Sequence, residues 1–489
     1  MIVPRRRSVL LAGFVALTAT EAMLAVALIP RSDLERLVHR PVLLAGVGFA
    51  ALVVLGLTAI FVRRPEIVPI AFLLAAPFRI PVNLGSQHAF LLLPFYGVLA
   101  AAALAFCWGL TRKQPRAISP LLAWPVAGFI ALSAVSLLWS RDLQQGTIEL
   151  VFFLFPFAAL FAIVARSPFP SWLPRALGTT LIGLTVLFAL IGLYERATHT
   201  LLYAPTLEVE NTFTSYFRVS SVFKDPSLFG RYLALGIAVA TAAYLLGRLR
   251  LGLAVAVVVV EYAALWFSYS QSSMVTIFVV VTGLALVIGS PGMRRVVLVV
   301  AGVAVLAAAG AVTIHARKDS ARKFTSDRSR LVAVTWTVFR NHPLVGVGVG
   351  GQPKASREEA AHRVAASRNK SHTTPLTVAA ELGLVGIAAY LIFLTGAARG
   401  FLSLAARNRA LGIGLAAVFL TLVVHSLFYA GFFEDPITWG VLAVACAALA
   451  AYREQGASGD GTGTAEEIAT LGASPLDRPA RLAVDRVES

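Results

Sequence analysis

Apolar residues run through this chain in blocks of about 20, the length a helix needs to cross a bilayer, and short polar turns part them. Fourteen blocks begin near Ser8, Pro41, Ile67, Ala89, Leu121, Thr147, Ala176, Leu228, Gly252, Ser272, Val296, Pro375, Ala410 and Ile437. The third is interrupted by Pro69, Pro77 and Pro81 and carries Arg79 near its end; the ninth and tenth are parted only by SYSQS. The expectation is therefore twelve to fourteen spans, and an even number would put both termini on one side. Within lipid every backbone polar group must be satisfied internally, so blocks of this length predict helices. The fold class expected is an all-α polytopic membrane protein with a large exoplasmic loop containing short helices.

Two polar stretches are longer than turns, residues 195–226 and 316–373. In the second, Asp327 is placed to cap a helix running to Asn341, with Leu331, Val334, Val338 and Phe339 available for an apolar face and Pro343 to end it. Ser356 and Glu359 fit a capping box for a second short helix. The GVGVGG between them predicts a flexible or tightly turned link. The chain thus divides into an N-terminal membrane domain (1–315), a large loop (316–373), C-terminal membrane helices (374–452) and a tail (453–489) whose Gly, Ser and acidic residues predict disorder.

Composition agrees with the pattern: 58% of residues are hydrophobic, only 14% are charged, and the mean hydropathy is +0.78. The net charge of +17 raises the question of nucleic acid, but its placement answers it. Basic residues cluster in short turns (Arg5 to Arg7, Arg63-Arg64, Arg112-Lys113, Arg248 and Arg250, Arg294-Arg295, Arg407 and Arg409) with no basic aromatic stripe. That is a topology signal: with the amino terminus inside, all these turns are cytoplasmic. Both termini are then cytoplasmic, and residues 195–226 and 316–373 face outside. The longer loop defies the signal, with twelve Lys or Arg against four acids; export despite charge is tolerated near its length. Cys107 and Cys446 both lie in apolar runs and suggest neither a disulfide framework nor a metal site. The first block has no small-residue cleavage site and reads as a retained helix.

Several residues invite chemistry. His372, in KSHTTPL, lies where the chain re-enters the membrane and would serve as a general base, since imidazole titrates near neutral pH. Arg218 and Arg328, one from each long loop, suit an anionic pyrophosphate through bidentate charge-assisted bonds. Lys224, Arg330, His342 and Glu381 are secondary candidates, and His362 is a weaker one. Gly346, Gly348 and Gly351 formally match a dinucleotide fingerprint, but no strand–turn–helix context surrounds them; a glycine turn joining two helices is the simpler reading. Glu21, Glu149, Glu261 and Glu381 fall within or beside spans, where a carboxylate needs a partner or a function. Nothing in their spacing resembles a metal-binding set or a proton relay.

Taken together, SDRSRLVAVTWTVFRNHPLVGVGVG followed by SHTTPLTVAAELGLVGIAAYL resembles the core domain of the O-antigen ligase and polymerase-like family. That family carries an Arg before a short helix, a turn of the form HPLxGxG, and a His before a helix containing ExGxxG. Here these are Arg328, His342 to Gly348, His372, and Glu381 with Gly383 and Gly386. SLLWSRD (136–142), FRVSSVFKDPSLFGRYL (217–233) and FFEDPITWG (432–440) agree with the same family. Thr373 stands where the family often has Asn, and Gln271 where it often has Arg.

The resemblance implies a membrane glycosyltransferase of the bacterial plasma membrane. Its partners would be a polyprenyl-pyrophosphate-linked glycan donor, a glycan or lipid acceptor and membrane lipid, with no nucleic acid. By carry-over, Arg218 and Arg328 hold the pyrophosphate and His372 activates the acceptor hydroxyl at the outer face, with inversion and with neither metal nor cofactor. The competing reading is a multi-spanning transporter, a polysaccharide flippase or an anion or bicarbonate carrier, which should gather polar residues and broken helices at the midplane. A peptidoglycan polymerase of the shape-and-division family lacks any motif here, and a non-catalytic scaffold is the plainest alternative.

Overall fold

The computed structural model describes residues 7–28, 41–84, 87–318, 328–360 and 371–459. The chain opens with α1 (Arg7–Leu28) and α2 (Pro41–Arg63). A 3-10 turn (Pro65–Ile67) leads into the short α3 (Val68–Ala75) and a hairpin of β1 (Ile80–Leu84) and β2 (Gln87–Leu91), paired antiparallel with Ile80 opposite Leu91. Then come α4 (Leu93–Arg112), α5 (Pro120–Ser136), and α6 (Leu143–Glu149), which runs through a π-helical segment (Leu150–Leu154) into α7 (Phe155–Val164). Next are α8 (Leu173–Thr198), the short α9 (Pro205–Thr212), α10 (Pro226–Leu245), α11 (Leu251–Ser268), α12 (Gln271–Ile288) and α13 (Pro291–Lys318). Two short helices, α14 (Arg328–Asn341) and α15 (Gln352–Ala360), precede α16 (Thr374–Ala405), α17 (Arg409–Ser426) and α18 (Pro436–Gly459).

Local chemistry sets many of these boundaries. Proline occupies the first turn of α4, α5, α8, α10 and α16, where a missing N–H costs nothing. Asp142, Asp225 and Asn408 cap α6, α10 and α17 by accepting from the backbone N–H of Gln145, Ser227 and Leu411. Among the described residues twelve helical segments are long and apolar enough to cross a membrane. The protein is an all-α polytopic membrane protein, with one small hairpin added.

The third apolar block departs from a simple span. Pro77 and Pro81 cannot continue a helix, so α3 stops at Ala75 and the hairpin follows. The ninth and tenth blocks are two full helices, joined by a tight turn in which Tyr269 takes a left-handed conformation. Residue 195 belongs to α8, which continues to Thr198 before the loop begins. At the other end α18 stays helical through Gly459, so residues 453–459 are not part of a tail; residues 460–489 lie outside the described residues.

The core is centred on α10, which packs against α8, α11, α12 and α17. There Thr185 of α8 donates a hydrogen bond of 2.6 Å to Glu261 of α11, both fully buried. The two can meet because Gly236 of α10 leaves the space; a Cβ there would run into both side chains. Glu261 is thus one membrane carboxylate with a packing partner. At one end of the bundle Arg116 joins Glu454 and the Ser167 carbonyl. The opposite end gathers the α5–α6 turn, the loop before α10 and the loop before α18. That end holds the candidate site.

Candidate active site

The motifs that stood out in the sequence meet in a joint made of backbone. Gly383 has φ +65° and ψ −157°, which breaks α16 and releases the carbonyls of Ala380 and Glu381 and the N–H groups of Leu384 and Val385. The turn 343–348 enters the gap and satisfies all four. Val347 and Gly348 donate to the Ala380 and Glu381 carbonyls (3.0 and 2.8 Å), while Leu384 and Val385 donate to the Pro343 and Leu344 carbonyls (2.8 and 3.3 Å).

Such an approach excludes side chains at the crossing points. Gly346 and Gly348, at φ +66° and +82°, would drive a Cβ into the Glu381 backbone and the Ser140 backbone respectively. The glycine run is therefore a joint between two closely packed stretches of backbone.

The same turn is bolted to the α5–α6 connection. Arg141 N–H donates to the Val347 carbonyl (2.9 Å), Ser140 Oγ to the Val349 carbonyl (2.8 Å), and Val349 N–H to Ser136 Oγ (3.0 Å). Arg141 also reaches Glu358 (3.0 Å) and His342 Nε2 (3.2 Å), and His342 in turn meets Glu359 at 2.8 Å. His342, a secondary candidate from the sequence, sits in this network linking α14, α15 and the α5–α6 turn. Ser356 is not a helix cap, because α15 begins four residues earlier: Ala355 N–H already bonds the Gly351 carbonyl.

His372 is held by its neighbour. Gln352, almost wholly buried, donates to Thr335 Oγ1 (3.1 Å) and Ser356 Oγ (2.8 Å) and accepts from the backbone N–H of Ser371 (3.1 Å). One amide thereby ties α14, α15 and the lead-in to α16 together. Partly exposed, His372 has its ring centroid 6.2 Å from that of Tyr429. Tyr429 lies 5.6 Å from His425 and under the Arg231 guanidinium at 5.3 Å.

Arg231 anchors the loop before α18. Only 2% exposed, it pairs with the equally buried Asp435 at 2.7 Å, donates to the Gly431 carbonyl (3.3 Å) and uses Nε on His425 Nδ1 (3.3 Å). His425 Nδ1 accepts, so the ring proton is assigned to Nε2, which faces Ser272 Oγ at 3.3 Å. Arg79, just past α3, donates to the Glu434 carbonyl (2.9 Å) and lies over the Phe153 ring at 6.0 Å. Lys224 feels Arg79, Glu434 and Asp225. Crowding by protein atoms, and secondarily the Arg79 charge, hold its pKa below the ordinary lysine range, while Glu434 and Asp225 pull it up.

The remaining candidates are placed as follows. Arg218 bonds the Ser268 carbonyl through Nε (3.3 Å) and lies 3.8 Å from Glu210, with its backbone N–H on Asn211. Its footing is the end of α11 and the short α9. Arg328 begins α14, and its side chain lies outside the described residues; Arg330 is partly buried on the same helix. Glu381 is buried at the break in α16 and lines a cleft beside His372 with Glu149 and Glu434. Among the described residues no group of three or more His, Cys, Asp or Glu is arranged for a metal ion.

Sequence reasoning did not single out Arg231, Gln352, Tyr429 or His425. A signal for Arg231 existed: an arginine five residues inside an apolar helix is costly without a function or a partner. For Gln352 there was none.

A family model described as O-antigen ligase matches residues 254–391. Those residues are similar to an O-antigen ligase domain. The matched stretch runs from α11 into α16 and contains Arg328, His342, Gln352, His372 and Glu381, whereas Arg79, Arg218, Lys224, Arg231 and the loop before α18 lie outside it. A comparison with curated proteins finds no match. The domain supports a membrane glycosyltransferase-like ligase or polymerase role, acting on lipid-linked glycans in a membrane setting.

Proposed function

We propose that this protein transfers a glycan from a polyprenyl-pyrophosphate donor to an acceptor hydroxyl at the outer face of the plasma membrane, without a metal ion and with inversion. The observation that carries the reading is the placement of His372. It stands inside the matched stretch, held through Ser371 by Gln352, with its ring 6.2 Å from that of Tyr429, which lies under the Arg231 guanidinium.

In this reaction His372 takes the acceptor hydroxyl proton as that oxygen bonds the anomeric carbon, and the bond from that carbon to the pyrophosphate oxygen breaks. Attack opposite the leaving group inverts the centre. Arg218 and Arg328 hold the pyrophosphate and neutralise charge as it departs, and Lys224 and Arg79 add positive charge beside the loop before α18. The charge pattern of the turns favours placing the Arg116 end in the cytoplasm, which puts this site outside.

A broken helix is also a transporter's device. Here the gap in α16 is filled by the turn 343–348, bonded on both sides. That favours a fixed site over a gate.

Reconstituted in liposomes with a polyprenyl-pyrophosphate oligosaccharide and an acceptor, the protein should form a new glycosidic bond in the presence of chelator. NMR of the product should show the inverted anomer. Arg328→Lys should raise the donor KM roughly tenfold by losing a bidentate contact. Movement of the donor across the bilayer with no new glycosidic bond would assign a transporter instead.

A further inference from the structure

In the turn that fills the break in α16, the side chains face outward while the carbonyls are taken within the protein. Leu344 is 67% exposed and Val345 is 50% exposed. The carbonyls of Pro343, Leu344 and Val345 nevertheless accept in succession from Leu384 N–H (2.8 Å), Val385 N–H (3.3 Å) and Trp139 Nε1 (3.2 Å). A turn in water can leave its carbonyls to the solvent, whereas in lipid each must find a partner inside the protein. The donors belong to residues that are themselves exposed and apolar: Leu384, Val385 and Trp139, the last beside Leu138, which is 85% exposed. The turn, the helix after the break and the α5–α6 connection thus join in one patch. The polar atom among its side chains, Trp139 Nε1, is already donated. An exposed apolar patch of this kind marks an interaction surface.

What covers the patch follows from where it leads. Leu391 and Ile392 are exposed two turns beyond Leu384 and Val385 on the same face of α16, and Leu402 is exposed three turns farther on. That stripe is the side on which α16, one of the segments long and apolar enough to cross a membrane, meets lipid. From Leu384 to Leu402 it measures about 27 Å at about 1.5 Å per residue, close to the roughly 30 Å of bilayer hydrocarbon. The stripe therefore starts at the break, and the turn lies at its upper limit. A partner protein could reach the patch only from within the plane of the bilayer.

We propose that Leu344 and Val345, with Leu138 and Trp139, form a foot seated in the bilayer at the boundary between acyl chains and headgroups, on the end of the bundle that carries His372. Its partner is phospholipid. The foot ties the joint in α16 to the membrane surface and so sets the height of His372 above the acyl chains. It stands independently of the transferase reading, because lipid contact is measured without any substrate.

The test uses full-length protein in phosphatidylcholine–phosphatidylglycerol liposomes. A nitroxide is placed on Leu344→Cys in a Cys107→Ala parent, whose remaining Cys446 is fully buried. Electron paramagnetic resonance then compares collisions with oxygen, which concentrates in hydrocarbon, and with a water-soluble nickel chelate. Leu391→Cys is the lipid reference, and Lys354→Cys, exposed on α15, is the aqueous one. The oxygen-to-nickel ratio at Leu344→Cys should approach that at Leu391→Cys and exceed that at Lys354→Cys about fivefold or more, since water and its solutes are excluded from hydrocarbon. A ratio like that at Lys354→Cys would put the turn in water and overturn the proposal. Low collision rates with both reagents would mean that a second copy or another stretch of this chain covers the patch, which overturns it equally. Should Leu344→Cys fail to fold, Leu138→Cys, on a separate segment, carries the same test with the same outcomes.

Discussion

Lys224 and Arg79 share one small region of the mouth, and the cost is visible in the lysine, whose pKa is lowered by crowding and then by Arg79. Only the protonated ammonium attracts an anion. Raising the pH discharges Lys224 earlier than a free lysine, so donor capture should weaken on the alkaline side. Measured as kcat/KM for the donor against pH, which reports the free enzyme, the alkaline limb should move to higher pH in Lys224→Arg. Superimposable profiles would remove Lys224 from donor capture.

In the proposed reaction Gln352 acts through another residue. Its Oε1 fixes the Ser371 N–H while its amide is itself fixed by Thr335 and Ser356. Gln352→Ala should lower kcat about tenfold with little change in KM, because displacement of a base by a fraction of an ångström is costly. Gln352→Glu, which keeps the acceptor toward Ser371, should recover part of the loss. Equal changes in KM and melting temperature in both variants would indicate a merely structural role.

At the scale of elements, the decisive object is the joint between the broken α16 and the turn 343–348. Gly346 is the sharpest test, since alanine there meets both an unfavourable φ and the Glu381 backbone. Gly346→Ala should cost about 2–5 kcal/mol from strain and overpacking together. Gly13→Ala, in α1 with nothing within 4 Å, is the control and should be nearly silent. Thermal melting of the two purified variants checks this, and equal melting points would contradict the joint.

The helices themselves were legible in the sequence, because a 20-residue apolar block has few other solutions in lipid. The joint was not. GVGVGG announces a turn, but only the partner strand of backbone at 380–385 makes it rigid, and nothing local points to that partner. The capping-box signal at Ser356 misled for a related reason: Gln352's tertiary bonds and Gly351 start α15 a turn earlier. In the third block the prolines correctly marked trouble, and the structure turned it into α3 and a hairpin.

Across the whole molecule, the candidate site draws on parts far apart in the chain. Arg79 meets the Glu434 carbonyl, and Arg231 meets Asp435, across separations of 355 and 204 residues. Such pairings explain why His372 could be singled out from a family pattern whereas Arg231 and Tyr429 could not. A motif travels along one segment, but a buried ion pair is visible only once two segments are packed. The matched stretch supplies His372 and the joint. Segments before and after it supply the cations Arg79, Lys224 and Arg231 and the loop that bounds the cleft.

The most direct test of this account is His372→Ala, assayed for glycan transfer in membranes with protein level and insertion checked in the same samples. Loss of a general base should lower transfer by about 100-fold or more, with the variant present at the wild-type level. Full transfer by a stably inserted His372→Ala protein would contradict the account.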